Sequence, residues 1–249
     1  MNPKRLSPAL YCFLTLLIVP VFAGSAFAQH ERAFFFSGAD GSSPSGGLVV
    51  DAEGNFYGST ALGGTDDLGV VYEIGPTSNG GAAETVLYSF TGSNGDGANP
   101  TGNLIFDSTG NLYGVTQYGG TGNGAVFELS PPSSPGGDWA ETVLYSFQGG
   151  PSDGAGPMAG LVLDGAGNLY GTGFHGGIDA EPCDDGGCGV VYELTPPSVP
   201  GSPWTESVLY MFQGNTSGGN PMAPLIFDQA GNLYGTTFIG GDNSKAIPL

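Results

Sequence analysis

Basic residues are the scarcest class in this 249-residue chain, which has four Lys and Arg against 23 Asp and Glu, for a formal net charge of −19. A surface of this sign repels phosphate backbones and anionic lipid heads, so nucleic-acid binding and membrane-surface binding are disfavoured. The acidic residues are spread along the chain and are typical of solvated loops and turns. The negative charge would also attract cations or a basic partner, but it does not identify a specific binding site.

Long apolar runs are also absent beyond the N-terminus, so we expect no membrane insertion after signal removal. At the N-terminus two basic residues precede an apolar run that ends at Ala23 and is too short to span a bilayer. Ala26-Phe27-Ala28 then has the A-x-A form of a cleavage site. The pattern predicts a signal peptide, residues 1–28, cleaved after Ala28, and disfavours a membrane anchor. We expect residues 29–249 to be secreted or held in the cell envelope.

Cysteine and histidine are nearly absent, which narrows the available chemistry. In an exported protein the pair Cys183 and Cys188 predicts a disulfide that closes a small loop. A zinc half-site is the alternative, with His175 as the nearby ligand candidate. No G-x-S-x-G or H-E-x-x-H pattern occurs, and adjacent carboxylates such as Asp184-Asp185 do not define a catalytic pair. We assign no catalytic residue and favour a protein that is not an enzyme, while leaving enzymatic activity open.

Glycine is abundant, with 47 residues, and it punctuates a repeated pattern. The segment Asp-x-x-Gly-Asn-(Leu/Phe)-Tyr-Gly occurs four times, and its asparagines are 56, 57 and 64 residues apart. A marker, Asp-Gly-x-x-Pro, precedes each copy at the same spacing, with Ser217 in place of Asp in the last copy. The long third interval holds an insert with both cysteines. We predict repeats at approximately 34–90, 91–147, 148–212 and 213–249, the last one incomplete.

Each repeat contains four short runs rich in Val, Leu, Tyr, Phe and Thr, separated by turn residues, which predicts four strands. Helical periodicity is missing after the N-terminus, so we expect almost no helix. Runs such as Leu48-Val49-Val50 are apolar on both sides, which indicates strands buried on both faces. The predicted fold is all-β, a β-propeller-like tandem repeat of four-stranded antiparallel blades. The competing β-solenoid usually has repeats much shorter than ~57 residues.

The strand count leaves one sheet incomplete. Phe34-Phe35-Phe36 matches the end of a fourth strand, and the chain ends before the third strand of the last repeat. This pattern is typical of an incomplete four-blade ring or of a shortened product, and the leading strand is a candidate to complete the last blade. An unpaired sheet edge would favour self-association.

The Asp-x-x-Gly-Asn motif has two interpretations. A carboxylate beside an amide oxygen is suited to calcium, and the four candidates are Asp51, Asp107, Asp164 and Asp228. In a hairpin loop, however, Asp caps the turn, Gly takes the left-handed position and Asn pairs with the loop backbone. The motif lacks the alternating D-x-D-x-D spacing of a calcium loop, so we favour the turn and require no cofactor. The Asp of the second marker also predicts a turn, which its Pro should stop from continuing as a strand.

From Phe34 to Gly241 the linked motifs resemble the GloVer tandem repeat of secreted "choice-of-anchor" bacterial proteins. The motifs that carry the resemblance are L-Y-S-F, D-G-x-x-P, G-L-I-x-D-x-x-G-N-L-Y-G, G-G and G-V-V-F-E-L. The resemblance implies an exported, propeller-like β protein, often surface-attached through varied C-terminal anchors, and implies no catalytic activity or ligand. This sequence departs from that pattern because it stops inside a repeat, so we do not carry surface attachment through an anchor over to it. We expect a secreted, non-enzymatic interaction or cell-envelope scaffold with a protein or glycan partner. The alternative is a carbohydrate-binding or carbohydrate-cleaving propeller.

Overall fold

The computed structural model describes residues 14–17, 31–134, 136–183, 186–199, 201–215 and 217–241. These residues form 19 β-strands and no helix, which agrees with the predicted all-β class. No described helix could cross a membrane. The predicted signal peptide lies outside the described residues apart from β1 (Leu14–Leu17), which pairs antiparallel with β2 (Glu31–Phe34).

The following strands form four-stranded antiparallel meanders in chain order. The first sheet consists of β3 (Ser42–Val50), β4 (Phe56–Leu62), β5 (Val70–Pro76) and β6 (Ala82–Ser89). The second consists of β7 (Gly97–Phe106), β8 (Leu112–Gly119), β9 (Ala125–Ser130) and β10 (Ala140–Ser146). In the third, a split first strand, β11 (Gly154–Pro157) and β12 (Val162–Leu163), precedes β13 (Leu169–Gly176), β14 (Val190–Thr195) and β15 (Thr205–Met211).

The last described strands pair in two short hairpins that repeat the start of a sheet. They are β16 (Gly219–Pro221), β17 (Ile226–Phe227), β18 (Leu233–Tyr234) and β19 (Thr237–Ile239). β16 pairs with β19 and β17 pairs with β18, in the register that the first two strands of the other sheets use. Within the described residues β2 pairs with β1 and not with these hairpins, so the structure shows separate four-stranded sheets and no closed ring.

Neighbouring sheets pack face to face, and the hydrophobic core lies between them. Phe90 at the end of the first sheet packs edge-on against Phe127 of the second, with ring centroids 5.1 Å apart. Phe147 packs on Tyr192 of the third sheet with ring centroids 5.0 Å apart and the rings tilted by 59°. Phe36 makes the equivalent contact with Tyr72 of the first sheet, so the leading segment does pack where a preceding fourth strand would lie.

The third strand of each complete sheet is the one buried on both faces. Val70, Val71 and Tyr72 of β5 are consecutive and almost completely buried, so side chains of both orientations face neighbouring structure. The prediction was wrong for the first strands of the first and last copies, since Val50 is 55 % exposed and Ile226 is 64 % exposed. A first strand lies at a sheet edge, and one of its faces meets solvent.

The proline of the Asp-Gly-x-x-Pro marker is itself paired in the first strand, which corrects the prediction that it stops strand pairing; in β3 and β7 the strand continues beyond it, whereas β11 and β16 end at it. Pro100 pairs across from Thr116, and a bulge follows between Thr101 and Ile105. Proline is tolerated because β7 is an edge strand, where a missing N–H leaves no ladder bond unmade. The residue before each of these prolines has a φ between 52° and 56°, and the four are Ser43, Asn99, Gly156 and Asn220.

Three of these left-handed residues, Asn99, Gly156 and Asn220, connect their sheet to the one before it. The Asn99 N–H donates to the Leu68 carbonyl at 2.8 Å, and its side-chain amide donates to the Ala61 carbonyl at 2.8 Å. Asn220 repeats both contacts with the third sheet, to Cys188 and Phe174. The Asp-Gly-x-x-Pro marker therefore forms a turn and also connects neighbouring sheets.

Candidate functional site

The most regular polar site is an Asp–Asn–Tyr cluster at the hairpin between the first and second strands of each sheet. In the second sheet, Asp107 Oδ1 accepts the Asn111 N–H at 2.9 Å, while Oδ2 accepts the Asn111 side-chain amide at 2.8 Å and the Tyr113 hydroxyl at 3.2 Å. The same three bonds occur around the other three aspartates, Asp51, Asp164 and Asp228. The cluster closes the loop on itself.

These hydrogen bonds lower the pKa of the aspartate carboxyl groups, as expected when a carboxylate caps a turn. Partial burial would raise the pKa of Asp107, but hydrogen bonds from Thr109 and Asn111 outweigh it and leave the pKa below its usual value. Around the fully exposed Asp228, bonds from Asn232 lower the pKa to about 2. The carboxylates proposed as calcium ligands are thus occupied by N–H and O–H donors. No group of three or more His, Cys, Asp or Glu residues in the described part of the chain is arranged around a metal position.

The marker aspartates form a second set of caps, at the loop that joins one sheet to the next. Asp96 is 8 % exposed, and its Oδ2 accepts the backbone N–H and the hydroxyl of Thr91, at 2.7 and 2.8 Å. In the last copy the Ser217 hydroxyl oxygen accepts the equivalent N–H, from Gln213, at 2.7 Å. The substitution of Ser for Asp therefore preserves the cap.

A half-buried glutamate at the start of the fourth strand lies near each of the three marker aspartates. Burial, followed by the charge of Asp96, raises the pKa of Glu141 to about 7. Glu84 and Glu206 have the same shift for the same reasons, beside Asp40 and Asp153. One carboxylate oxygen of each glutamate is buried and has no hydrogen-bond partner among the described residues. These glutamates were not predicted as site residues, although a carboxylate at the same position of three apolar strands is visible in the sequence.

A cleft of about 620 Å³ separates the outer strands of the first sheet from the loop before β10. Trp139 lines it together with polar side chains of both sheets, including Glu73, Thr85 and Asp138. The Trp139 ring is half-buried and lies 6.3 Å from the Tyr57 ring, so the indole is held by the core on one side. The cleft thus combines one aromatic side chain held by the core with several polar groups.

His175 lines a smaller cleft of about 300 Å³ between the second and third sheets. It lies in β13 opposite Ala155, beside Tyr118 and Gln148, and its Nδ1 is buried without a partner among the described residues. The predicted disulfide joins Cys183 and Cys188, with Sγ atoms 2.02 Å apart. Both sulfurs are bonded, so the alternative zinc half-site with His175 is not formed. Asp184 and Asp185 lie outside the described residues.

A family model described as the Gloeobacter/Verrucomicrobia repeat matches residues 23–247. No curated protein matches the chain.

Proposed function

Because the chain belongs to the Gloeobacter/Verrucomicrobia repeat family, we propose that it is a secreted repeat protein that acts as an interaction scaffold and not as an enzyme. One observation carries this proposal. The residues that recur in every copy hydrogen-bond to one another, as Asp107, Asn111 and Tyr113 do in the second sheet. Repetition therefore serves folding, and the surface loops that vary between copies are left to bind a partner.

The proposed architecture is a β-propeller-like stack of blades around an axis. Each complete sheet is a four-stranded antiparallel meander, and successive sheets pack face to face through their aromatic residues. The bulge glycines support close approach of the first strands, since a Cβ on Gly102 would lie 2.3 Å from the Gly160 nitrogen. Small-angle scattering of residues 29–249 tests this arrangement. A compact, disc-like particle is expected, and an extended rod would contradict it.

The proposed location is outside the cytoplasm. The disulfide between Cys183 and Cys188 is typical of oxidising compartments, and the N-terminal pattern predicts export. Expression of the full chain in its native cells, followed by fractionation and N-terminal sequencing, tests this. We expect protein outside the cytoplasm that begins at Gln29. An uncleaved cytoplasmic chain would contradict the proposal.

Scaffold activity is tested by saturable binding of purified residues 29–249 to cell envelopes from the producing organism. A reduced and heat-denatured sample of the same protein is the matched control for charge and composition. We expect saturation with the folded protein and none with the control. Linear, unsaturable retention of both samples would contradict a specific interaction.

The second candidate function is carbohydrate binding, and the cleft beside Trp139 favours it. Indole faces bind sugar rings, while carboxylates such as Asp138 and Glu73 accept bonds from their hydroxyl groups. A glycan array with residues 29–249 tests this candidate.

The matched variants for the array are Trp139→Ala and Trp204→Ala, which remove equivalent core-packed residues of the second and third sheets. We expect Trp139→Ala to abolish glycan binding and Trp204→Ala to leave it intact. Asp138→Asn changes an exposed residue and should weaken binding without loss of the fold. An array without a binding glycan would exclude this candidate and leave the scaffold proposal standing.

A further inference from the structure

Unpaired carboxylate oxygens are concentrated in one cleft between the first and second sheets. Asp96 and Glu141 both line this cleft, with Tyr88 and the hydroxyl groups of Thr91 and Ser93 beside them. Asp96 Oδ1 and Glu141 Oε1 are both buried and have no hydrogen-bond partner within the described residues. A buried carboxylate oxygen without a donor carries a desolvation cost, and a second carboxylate nearby increases it.

The three complete sheets offer no basic side chain to these carboxylates, since the sequence contains no Lys or Arg between Arg32 and Lys245. A water molecule, a proton or a metal cation can take the open position beside Asp96 and Glu141. We propose that this cleft binds a calcium ion, held by Asp96 and Glu141 with hydroxyl and carbonyl oxygens of the Thr91–Gly95 loop.

The chemistry of the donors favours calcium over other metals. Every polar group around the two carboxylates offers oxygen, which suits a hard cation, whereas zinc prefers nitrogen and sulfur. Calcium also accepts irregular coordination, while magnesium demands a near-octahedral shell. With two carboxylates, the site resembles the weak class of extracellular calcium modules, with dissociation constants of roughly 10⁻⁴–10⁻³ M.

Comparison with the other copies of the marker shows that an unpaired oxygen on the marker aspartate occurs in the second repeat and not at Asp153 of the third. Asp153 is also buried, but its Oδ1 and Oδ2 accept the N–H groups of Gly154 and Gln148. Asp40 Oδ1 accepts a bond from Ser37, and Ser217 has no carboxylate. The third repeat therefore offers a matched control in which the aspartate is already satisfied.

Thermal unfolding of residues 29–249 at pH 8, with 10 mM calcium chloride or with chelator at equal ionic strength, tests the proposal. When the calcium concentration is roughly ten times the dissociation constant, mass action predicts that the Tm in calcium is higher by about 3–6 °C than in chelator. Magnesium should give a much smaller shift.

Two variants locate the site. Asp96→Ser copies the natural residue Ser217, which preserves the loop cap, so this variant should fold and lose the calcium shift. Glu141→Gln should lose it as well, whereas Glu206→Gln in the third repeat should retain it. A wild-type Tm that calcium leaves unchanged at pH 8 would overturn the proposal and favour a shared proton. Retention of the full shift by Asp96→Ser would also overturn it.

Discussion

Replacement of Asp107 by Ala tests whether the Asp–Asn–Tyr cluster is a structural cap. The substitution removes the acceptor at the centre of the hairpin loop between β7 and β8. Asp107 Oδ1 accepts the backbone N–H groups of Thr109 and Asn111 at 2.8 and 2.9 Å. Its Oδ2 accepts the Asn111 side-chain amide at 2.8 Å and the Tyr113 hydroxyl at 3.2 Å. All of these donors would have to find water or remain unpaired.

The expected loss follows from the net value of such bonds. One intramolecular hydrogen bond contributes about 0.5–1.5 kcal/mol. The bonds of Asp107 act as a unit and the loop is partly exposed, so they are not fully additive. We expect the free energy of unfolding at pH 7 to fall by about 2–4 kcal/mol. For a chain of this size that is a decrease in Tm of about 4–16 °C.

The pH dependence gives an independent check on the same reasoning. Hydrogen bonds hold the pKa of Asp107 below its usual value despite partial burial. The folded state therefore prefers the carboxylate, and this contribution is complete above the unfolded pKa of about 4. It is lost as the pH falls through the folded pKa. The difference in Tm between wild type and Asp107→Ala should be large at pH 7 and shrink towards pH 2.

The matched control is Asp228→Ala, because Asp228 makes the same bonds from a fully exposed position. Differential scanning calorimetry should show a smaller decrease in Tm for this variant than for Asp107→Ala. An Asp107→Ala protein as stable as wild type at pH 7 would refute the cap. If Asp107 were a calcium ligand, its variant would lose the calcium shift. We expect that shift to persist, since it belongs to Asp96 and Glu141.

Three further predictions concern packing, pH and the open edge. Gly102→Ala should cost more stability than Gly110→Ala in chemical denaturation, because its Cβ would lie 2.3 Å from the Gly160 nitrogen, whereas Gly110 has open space at a similar positive φ. Because the folded state raises the pKa of three glutamates, the free energy of unfolding should fall as the pH rises from about 4.5 to 7. A triple Glu-to-Gln variant should flatten this slope, and its positions are Glu84, Glu141 and Glu206. Analytical ultracentrifugation should show concentration-dependent association that Phe238→Lys weakens, since Phe238 is 71 % exposed on the edge strand β19.

The strand content of the repeat could be predicted from sequence because turn chemistry is local. Asp, Gly and Asn at fixed spacing specify a hairpin whatever surrounds it. Asp107 accepts the Asn111 N–H as a cap should, but the Asn111 side chain donates to Asp107 Oδ2 and not to the loop backbone as predicted. The third strand was also predictable, since an apolar run such as Val70-Val71-Tyr72 has no polar face to present to water. The disulfide followed from two cysteines close together in a short insert.

The role of the marker proline could not be predicted, because it depends on a neighbouring sheet. A local rule says that Pro interrupts strand pairing. In the structure, a Cβ on Gly69 of the first sheet would lie 2.5 Å from Pro100 Cδ of the second, so the ring covers this glycine. Pro157 covers Gly124 in the same way, and Pro221 covers Gly189. Proline is placed here by contact across the interface, which no spacing within one repeat reveals.

Differences between copies indicate which recurring polar residues have a role beyond folding. The caps tolerate exchange, as Ser217 shows when it accepts the same kind of N–H bond as Asp96. A glutamate at the start of the fourth strand is retained in all three complete sheets, although burial raises its pKa and leaves one oxygen without a partner. A residue that costs stability in three sheets is not explained by turn chemistry. Cation or proton binding at these positions gives a physical reason for its presence, and the second sheet, where Asp96 also has a free oxygen, is where that reason is strongest.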